Sequence, residues 1–150
     1  MAYLAIIPVQ AQRSYGYGFG AIGAASVQGF NSSTVQLGLG GEKLFGFGLG
    51  AGGELGALGM TTRWPSTVLG VLNLNASYHF SRPDATFDPF VTGGYSLFFR
   101  TGTSNGGNFG GGVNYWFADR VGFRFEVRDQ VAGRNPSVHF WGVRFGVTFR

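Results

Sequence analysis

The sequence predicts an all-β fold: an eight-stranded antiparallel up-and-down barrel that carries its apolar face outward. Three observations predict it. Apolar and polar residues alternate with period two along most of the chain, which is the period of extended backbone rather than helix. Glycine supplies 28 of 150 residues and aromatics 17%, while charged residues reach only 12%; soluble domains carry about 25% charged residues and about 7% glycine. Turn signals separate the alternating runs, and short connections between consecutive strands make neighbours antiparallel.

The alternation is clearest from Asn108 to Arg150. Phe109, Val113, Tyr115, Phe117, Val121, Phe123, Phe125 and Val127 share one parity, while Gly110, Gly112, Asn114, Gly122, Arg124, Glu126 and Arg128 share the other. A tight turn at 118–120 joins these two runs, and a loop at 130–137 precedes the last. There Trp141, Val143, Phe145, Val147 and Phe149 alternate with Gly142, Arg144, Gly146 and Thr148. Upstream, Tyr15, Tyr17 and Phe19 lie opposite glycines in the first run, 15–25. Val35, Leu37 and Leu39 lie opposite Gln36, Gly38 and Gly40 in the run 34–41. In the run 45–60, Phe47, Leu49, Ala51, Leu55 and Ala57 oppose a glycine series that includes Glu54. In the run 67–80, Leu72, Leu74, Ala76, Tyr78 and Phe80 oppose Asn73, Asn75, Ser77 and His79. In the run 90–100, Val91, Tyr95, Leu97 and Phe99 oppose Thr92, Gly94, Ser96 and Arg100, with Phe90 and Phe98 as exceptions on the polar face. Segments 26–33, 61–66 and 101–107 read as loops, Glu42-Lys43 as a tight turn, and 81–89 as a longer connector.

The polar face decides which side is inside. A soluble barrel would show water a face rich in Lys, Glu, Asp and Thr. This face is instead glycine and asparagine with Glu54, Arg124, Glu126, Arg128 and Arg144 spaced among them. Small residues suit the crowded lumen of an eight-stranded barrel, and Arg and Glu placed there can satisfy one another as a polar network. Leu49, Leu72, Leu74, Val113, Phe123, Phe125, Val143, Phe145 and Val147 then form a lipid-facing band. Tyr15, Tyr17, Tyr78, Tyr115, Phe117, Trp141 and Phe149 form the aromatic girdles that flank such a band. The expected fold is therefore an eight-stranded antiparallel up-and-down transmembrane β-barrel, whose closure removes the free edges that lipid does not tolerate.

The same composition excludes other classes. Cys 0 rules out a disulfide framework and thiolate-bound metals. The net charge is +4, but the basic residues form no cluster of the kind nucleic-acid binders show, so no nucleic-acid partner is expected. No apolar run approaches the ~20 residues of a membrane helix, which says nothing against strands of ~9–11 residues. Glycine runs near Glu54 contain GxGxxG by chance of their period, with no helix pattern behind them to cradle a phosphate. Residues 1–11 hold a short apolar stretch and a small-residue pattern at Val9-Gln10-Ala11, read as the remnant of a signal peptide; residues 12–150 form the barrel domain.

The run NFGGGVNYWFADRVGFRFEVRD followed by VRFGVTFR resembles the small OmpA/OmpX-like outer-membrane β-barrel domains of Gram-negative bacteria, over residues 15–150. The resemblance implies the bacterial outer membrane, periplasmic N and C termini, long outer loops and short inner turns. It implies lipid bilayer and lipopolysaccharide around the barrel, and barrel-assembly machinery reading an insertion signal in the last strand. Arg144, Gly146 and Phe149 match the start of that signal, whose final aromatic is expected one position past Arg150. The expected role is structural or surface-contacting, in a monomer, with the lumen plugged by side chains and with no catalytic, cofactor or metal site.

Three alternatives remain at this point: a small porin, a lipid A-modifying enzyme, and a soluble lipocalin-like carrier. Ser137 and His139 share a face near the rim of the last strand, the height at which some small barrels of this kind carry a hydrolytic His/Ser pair. A serine nucleophile needs a base, and the base an orienting acid. No third member stands out in the sequence, and the spacing is Ser-x-His rather than the His-x-Ser of that deacylase family. His79 and His139 are expected at opposite ends of the barrel, too far apart to share a metal.

Overall fold

A computed structural model of the chain describes residues 13–63, 68–82, 84–133 and 137–150; the signal-peptide expectation for 1–11 lies outside them. Strands β1 (Arg13–Val27), β2 (Phe30–Leu44), β3 (Leu49–Met60), β4 (Leu69–His79), β5 (Phe87–Phe99), β6 (Thr103–Trp116), β7 (Val121–Ala132) and β8 (Val138–Phe149) follow in order. They close as β1-β2-β3-β4-β5-β6-β7-β8, every pair antiparallel, with β1 meeting β8 from Gly16↔Phe149 to Ser26↔His139. The sheet thus has no free edge, as the alternation predicts.

Several strands are longer than their sequence signals. The polar stretch 26–33 contracts to a two-residue hairpin turn, with Gln28 at φ 45° and Gly29 at φ 85°; positive φ at both central positions matches the right-handed twist of the flanking strands. Glu42-Lys43 is no turn: β2 continues through both to Leu44, and the chain reverses at 45–48, where Phe47 (φ 65°) and Gly48 (φ 80°) are left-handed. β3 accordingly begins at Leu49 rather than Phe45. β6 begins at Thr103, inside the expected loop 101–107, β7 runs on to Ala132, and β5 begins at Phe87 inside the expected connector. Ladder hydrogen bonds outweigh the turn preference of Gly, Ser and Asn wherever a partner strand continues alongside.

The strand ends flanking the β1–β2, β3–β4, β5–β6 and β7–β8 connections lie at one end of the barrel, here the loop end; those flanking the β2–β3, β4–β5 and β6–β7 connections lie at the other with Arg13 and Arg150, here the terminus end. The long-outside, short-inside asymmetry that the resemblance implies is absent.

Strand β1 has the opposite facing from that expected. Tyr15, Tyr17 and Phe19 are buried in the lumen, and Gly16, Gly18, Gly20 and Ile22 face outward, Ile22 at 65% exposure. Tyr15 and Tyr17 are therefore lumen residues and no part of a girdle. The cause sits on β2. A Cβ on Gly38 would come within 2.6 Å of the Phe19 ring, and one on Gly40 within 2.5 Å of the Tyr17 ring. The lumen glycines of β2 are the seats of the β1 aromatics. A larger residue at Gly40 should therefore cost about 1–3 kcal/mol by overpacking. Gly16→Ala, with nothing within 4 Å of its added carbon, should change stability by under ~0.5 kcal/mol. Urea titration in vesicles, scored by the folded band that migrates faster in unboiled samples, checks both; equal midpoints for Gly40→Leu and the parent would contradict the packing.

Candidate functional site

The lumen is the part of the molecule where sequence-predicted polar residues meet, and it is built in three layers. At the loop end Ala25, Leu58, Val71, Phe98, Ala132 and Phe140 form a buried apolar plug, with the Phe98 and Phe140 rings 5.5 Å apart. This layer was not legible as such. Leu58 and Val71 fall on the polar parity, and Phe98 is one of the two exceptions noted there.

The middle layer centres on Glu54, 2% exposed. Its Oε2 accepts hydrogen bonds from Arg128 Nη1 at 2.8 Å, Arg144 Nη1 at 2.9 Å and Asn73 Nδ2 at 2.9 Å, and its Oε1 accepts one from Tyr17 Oη at 2.8 Å. Arg128 Nε also donates to Glu126 Oε1, and Arg124 Nε donates to Glu126 Oε2 at 3.3 Å. Arg144 Nη2 reaches Gln36 Oε1 at 3.3 Å. The structure thus brings Glu54, Arg124, Glu126, Arg128 and Arg144 into one network, and adds Tyr17, Gln36 and Asn73. Aromatic faces complete the packing: the Arg124 guanidinium lies 4.3 Å from the Tyr17 ring centre and 4.0 Å from that of Phe90, and Arg144 4.3 Å from that of Phe19. Such contacts stabilise a cation cut off from water. A side chain of polar amides and a hydroxyl, Asn108–Ser96–Asn73–Gln130, continues the network towards the plug.

The third layer, at the terminus end, was missed by the sequence reading. His79 Nδ1 lies 2.7 Å from Asp88 Oδ2, and His79 Nε2 3.1 Å from Glu42 Oε1. Ser77 donates to Glu42, Ser81 to Asp88 at 2.7 Å, and Asn114 to Asp88 at 3.1 Å. Arg124 Nη1, 3.7 Å from Glu42 Oε2, links this layer to the middle one. The carboxylates Glu42, Glu54, Asp88 and Glu126 thus face the guanidiniums Arg124, Arg128 and Arg144, with the His79 ring held between the two acids Glu42 and Asp88. Buried charge is tolerated only when matched in this way.

The outward residues follow the parity. Leu49, Leu74, Phe123, Phe125, Phe145 and Val147 are exposed on the outer wall, and Leu72, Val113 and Val143 are half-exposed on the same parity. Tyr78, Tyr115, Phe117, Trp141 and Phe149 are also outward and exposed. In the last strand Arg144 points into the lumen, whereas Phe149 faces out and Gly146 packs against the backbone of Gly18. At the loop end His139 Nδ1 is 2.9 Å from Asp129 Oδ2 on the outer wall. Asp129 is the acid partner that sequence reading did not find, because only the register of β7 on β8 brings the two together. Among the described residues no hydrogen bond joins Ser137 to His139. Nor do the described residues contain a group of three or more His, Cys, Asp or Glu able to hold a metal ion.

A closed eight-stranded antiparallel barrel is an arrangement found among solved structures. Neisserial surface protein A superposes with a TM-score of 0.74 at 18% identity, covering 93% of this chain and 99% of that one. The fold is that of the small bacterial outer-membrane β-barrels. The N-terminal β-barrel domain of Pseudomonas aeruginosa OprF gives a TM-score of 0.63 at 15% identity, covering 89% and 96%. The outer membrane enzyme PagL gives 0.62 at 15% identity, covering 87% and 97%. No protein-family model matches the chain, and no curated protein sequence does.

Removing one member of the lumen network should be expensive. Glu54→Gln leaves Arg128 and Arg144 sharing Glu126, and should lower stability by about 3–5 kcal/mol. Combining it with Arg144→Met should recover part of the loss, since the uncompensated cation goes too. Urea midpoints of the parent, the two single variants and the double variant measure this coupling.

Proposed function

We propose that the chain is an integral protein of the bacterial outer membrane whose work is structural support of the envelope or contact at its surface, and that it neither conducts solutes nor catalyses a reaction. The observation that carries this reading is the layered lumen. The apolar plug of Leu58, Val71, Phe98 and Phe140 lies across the loop end. Below it, the gap beside Arg128, Gln130 and Arg144 is about 10 Å³, and the one beside Tyr17, Arg124 and Glu126 is about 0 Å³. Neither admits a water file, since one water needs about 10–15 Å³.

The outer-membrane location is supported by the fold and by the exposed apolar wall. Periplasmic termini follow from the resemblance, with the loop end outward. The insertion signal Arg144, Gly146 and Phe149, and recognition by assembly machinery, belong to the same proposal, as does a monomeric state. The connections at the loop end are short, which favours the structural version over a large adhesive surface.

The refolded barrel in a planar bilayer should show no steady unitary conductance. A reproducible channel step would overturn the sealed-lumen reading. A second reading, a lipid hydrolase, is favoured by the Asp129–His139 pair alone. The proposal expects His139→Ala to leave ester turnover at the lipid surface at background, with the parent already there; turnover by the parent that is lost in His139→Ala would replace the structural reading with the enzymatic one.

A further inference from the structure

The terminus end of the lumen opens into a cavity of about 420 Å³ between the turn at 45–48 and residues Phe80, Ser81, Arg82 and Ala85. That volume lies within the ~300–1,000 Å³ range of small-molecule sites. Its walls are aromatic, among them Tyr15, Phe45, Phe80 and Trp116, and its polar groups are of two kinds. Asp88 and His79 at the floor are already satisfied. Asp88 accepts from Ser81 and Asn114 and pairs with His79, which also meets Glu42. Arg13 and Arg82 also line the cavity, and among the described residues neither guanidinium has a carboxylate within ion-pair reach. Lys43, Arg120 and Arg150 stand at the same end against Asp84 and Asp119, so the field at the mouth is positive.

We propose that this cavity binds a small amphipathic anion, a phosphate or carboxylate carried on an aromatic or acyl body, with the anionic group on Arg13 and Arg82 and the body against the aromatic walls. A guanidinium presents a planar fork of donors that matches such an oxyanion. Asp88, the one carboxylate among the described lining residues, does not oppose it, because His79, Ser81 and Asn114 already engage its two oxygens. Among the described lining residues a cation finds no carboxylate besides the engaged Asp88. The ligand chemistry is the same for an anionic lipid headgroup and for a free anion arriving from water.

The test uses the whole chain in phosphatidylcholine nanodiscs, with phenyl phosphate as probe and the Trp116 indole N–H resonance as readout. Phenyl phosphate should shift that resonance saturably, and benzylammonium, of similar shape and opposite charge, should not. The Arg13→Gln, Arg82→Gln variant should bind about tenfold more weakly or worse, while the faster-migrating band in unboiled samples shows that it still folds. Replacing part of the phosphatidylcholine with phosphatidylglycerol separates the sources: competition with phenyl phosphate assigns the site to a lipid headgroup, and undiminished binding assigns it to a free anion. A saturable shift with benzylammonium as strong as with phenyl phosphate, no saturable shift with either, or unchanged affinity in a folded double variant would each overturn the proposal.

Discussion

The polar middle of this barrel converges on the carboxylate of Glu54. Its two oxygens take hydrogen bonds from Tyr17 on β1, Asn73 on β4, Arg128 on β7 and Arg144 on β8, so one β3 side chain ties together strands from around the whole circumference. A membrane barrel has no hydrophobic core in the usual sense, because its largest apolar surface faces lipid. What holds the walls at a fixed separation is the lumen, and a lumen of charges is stable only if every charge is met. The rest of the arrangement follows from that constraint. Gly38 and Gly40 of β2 make room for the Phe19 and Tyr17 rings of the neighbouring β1. Aromatic rings cover the guanidiniums, and the loop end is closed with hydrocarbon rather than left open to water.

The same constraint explains the terminus end. Glu42 and Asp88 lie beside a network whose three arginines are already shared, and the His79 ring between them gives each a hydrogen-bonding partner. Above that floor Arg13 and Arg82 line the recess. An apolar layer thus lies across one end of the interior, while the other end keeps a recess lined by Arg13 and Arg82.

Much of this was legible in the sequence where each strand could be judged alone. β7 and β8 alternate so strictly that Arg124, Glu126, Arg128 and Arg144 could be placed inside, opposite Phe123, Phe125 and Phe145 outside. Where the answer depended on neighbours, the sequence misled. In β1 the aromatic parity looks like a lipid face, yet Tyr17 and Phe19 occupy the space left by Gly40 and Gly38 of β2. Ile22, which shares its parity with Gly16, Gly18 and Gly20, was the one local sign of the reversal. Glu42 was hidden by turn-forming neighbours, Gly40-Gly41 before it and Lys43 after. The His79 cluster and the Asp129–His139 pair are products of register, which no single-strand pattern contains.

The orientation of β1 is the point on which the inside-polar, outside-apolar account is most exposed, and the absence of cysteine makes it directly measurable. Single cysteines at Gly18, Ile22, Ala21 and Phe145, each carrying a nitroxide in bilayers, can be compared for collision with lipid-soluble oxygen. The account predicts high oxygen accessibility at Gly18, Ile22 and Phe145 and low accessibility at Ala21. High accessibility at Ala21 with low accessibility at Gly18 and Ile22 would put Tyr17 on the lipid face, empty the seats at Gly38 and Gly40, and contradict the packing on which the Glu54 network rests.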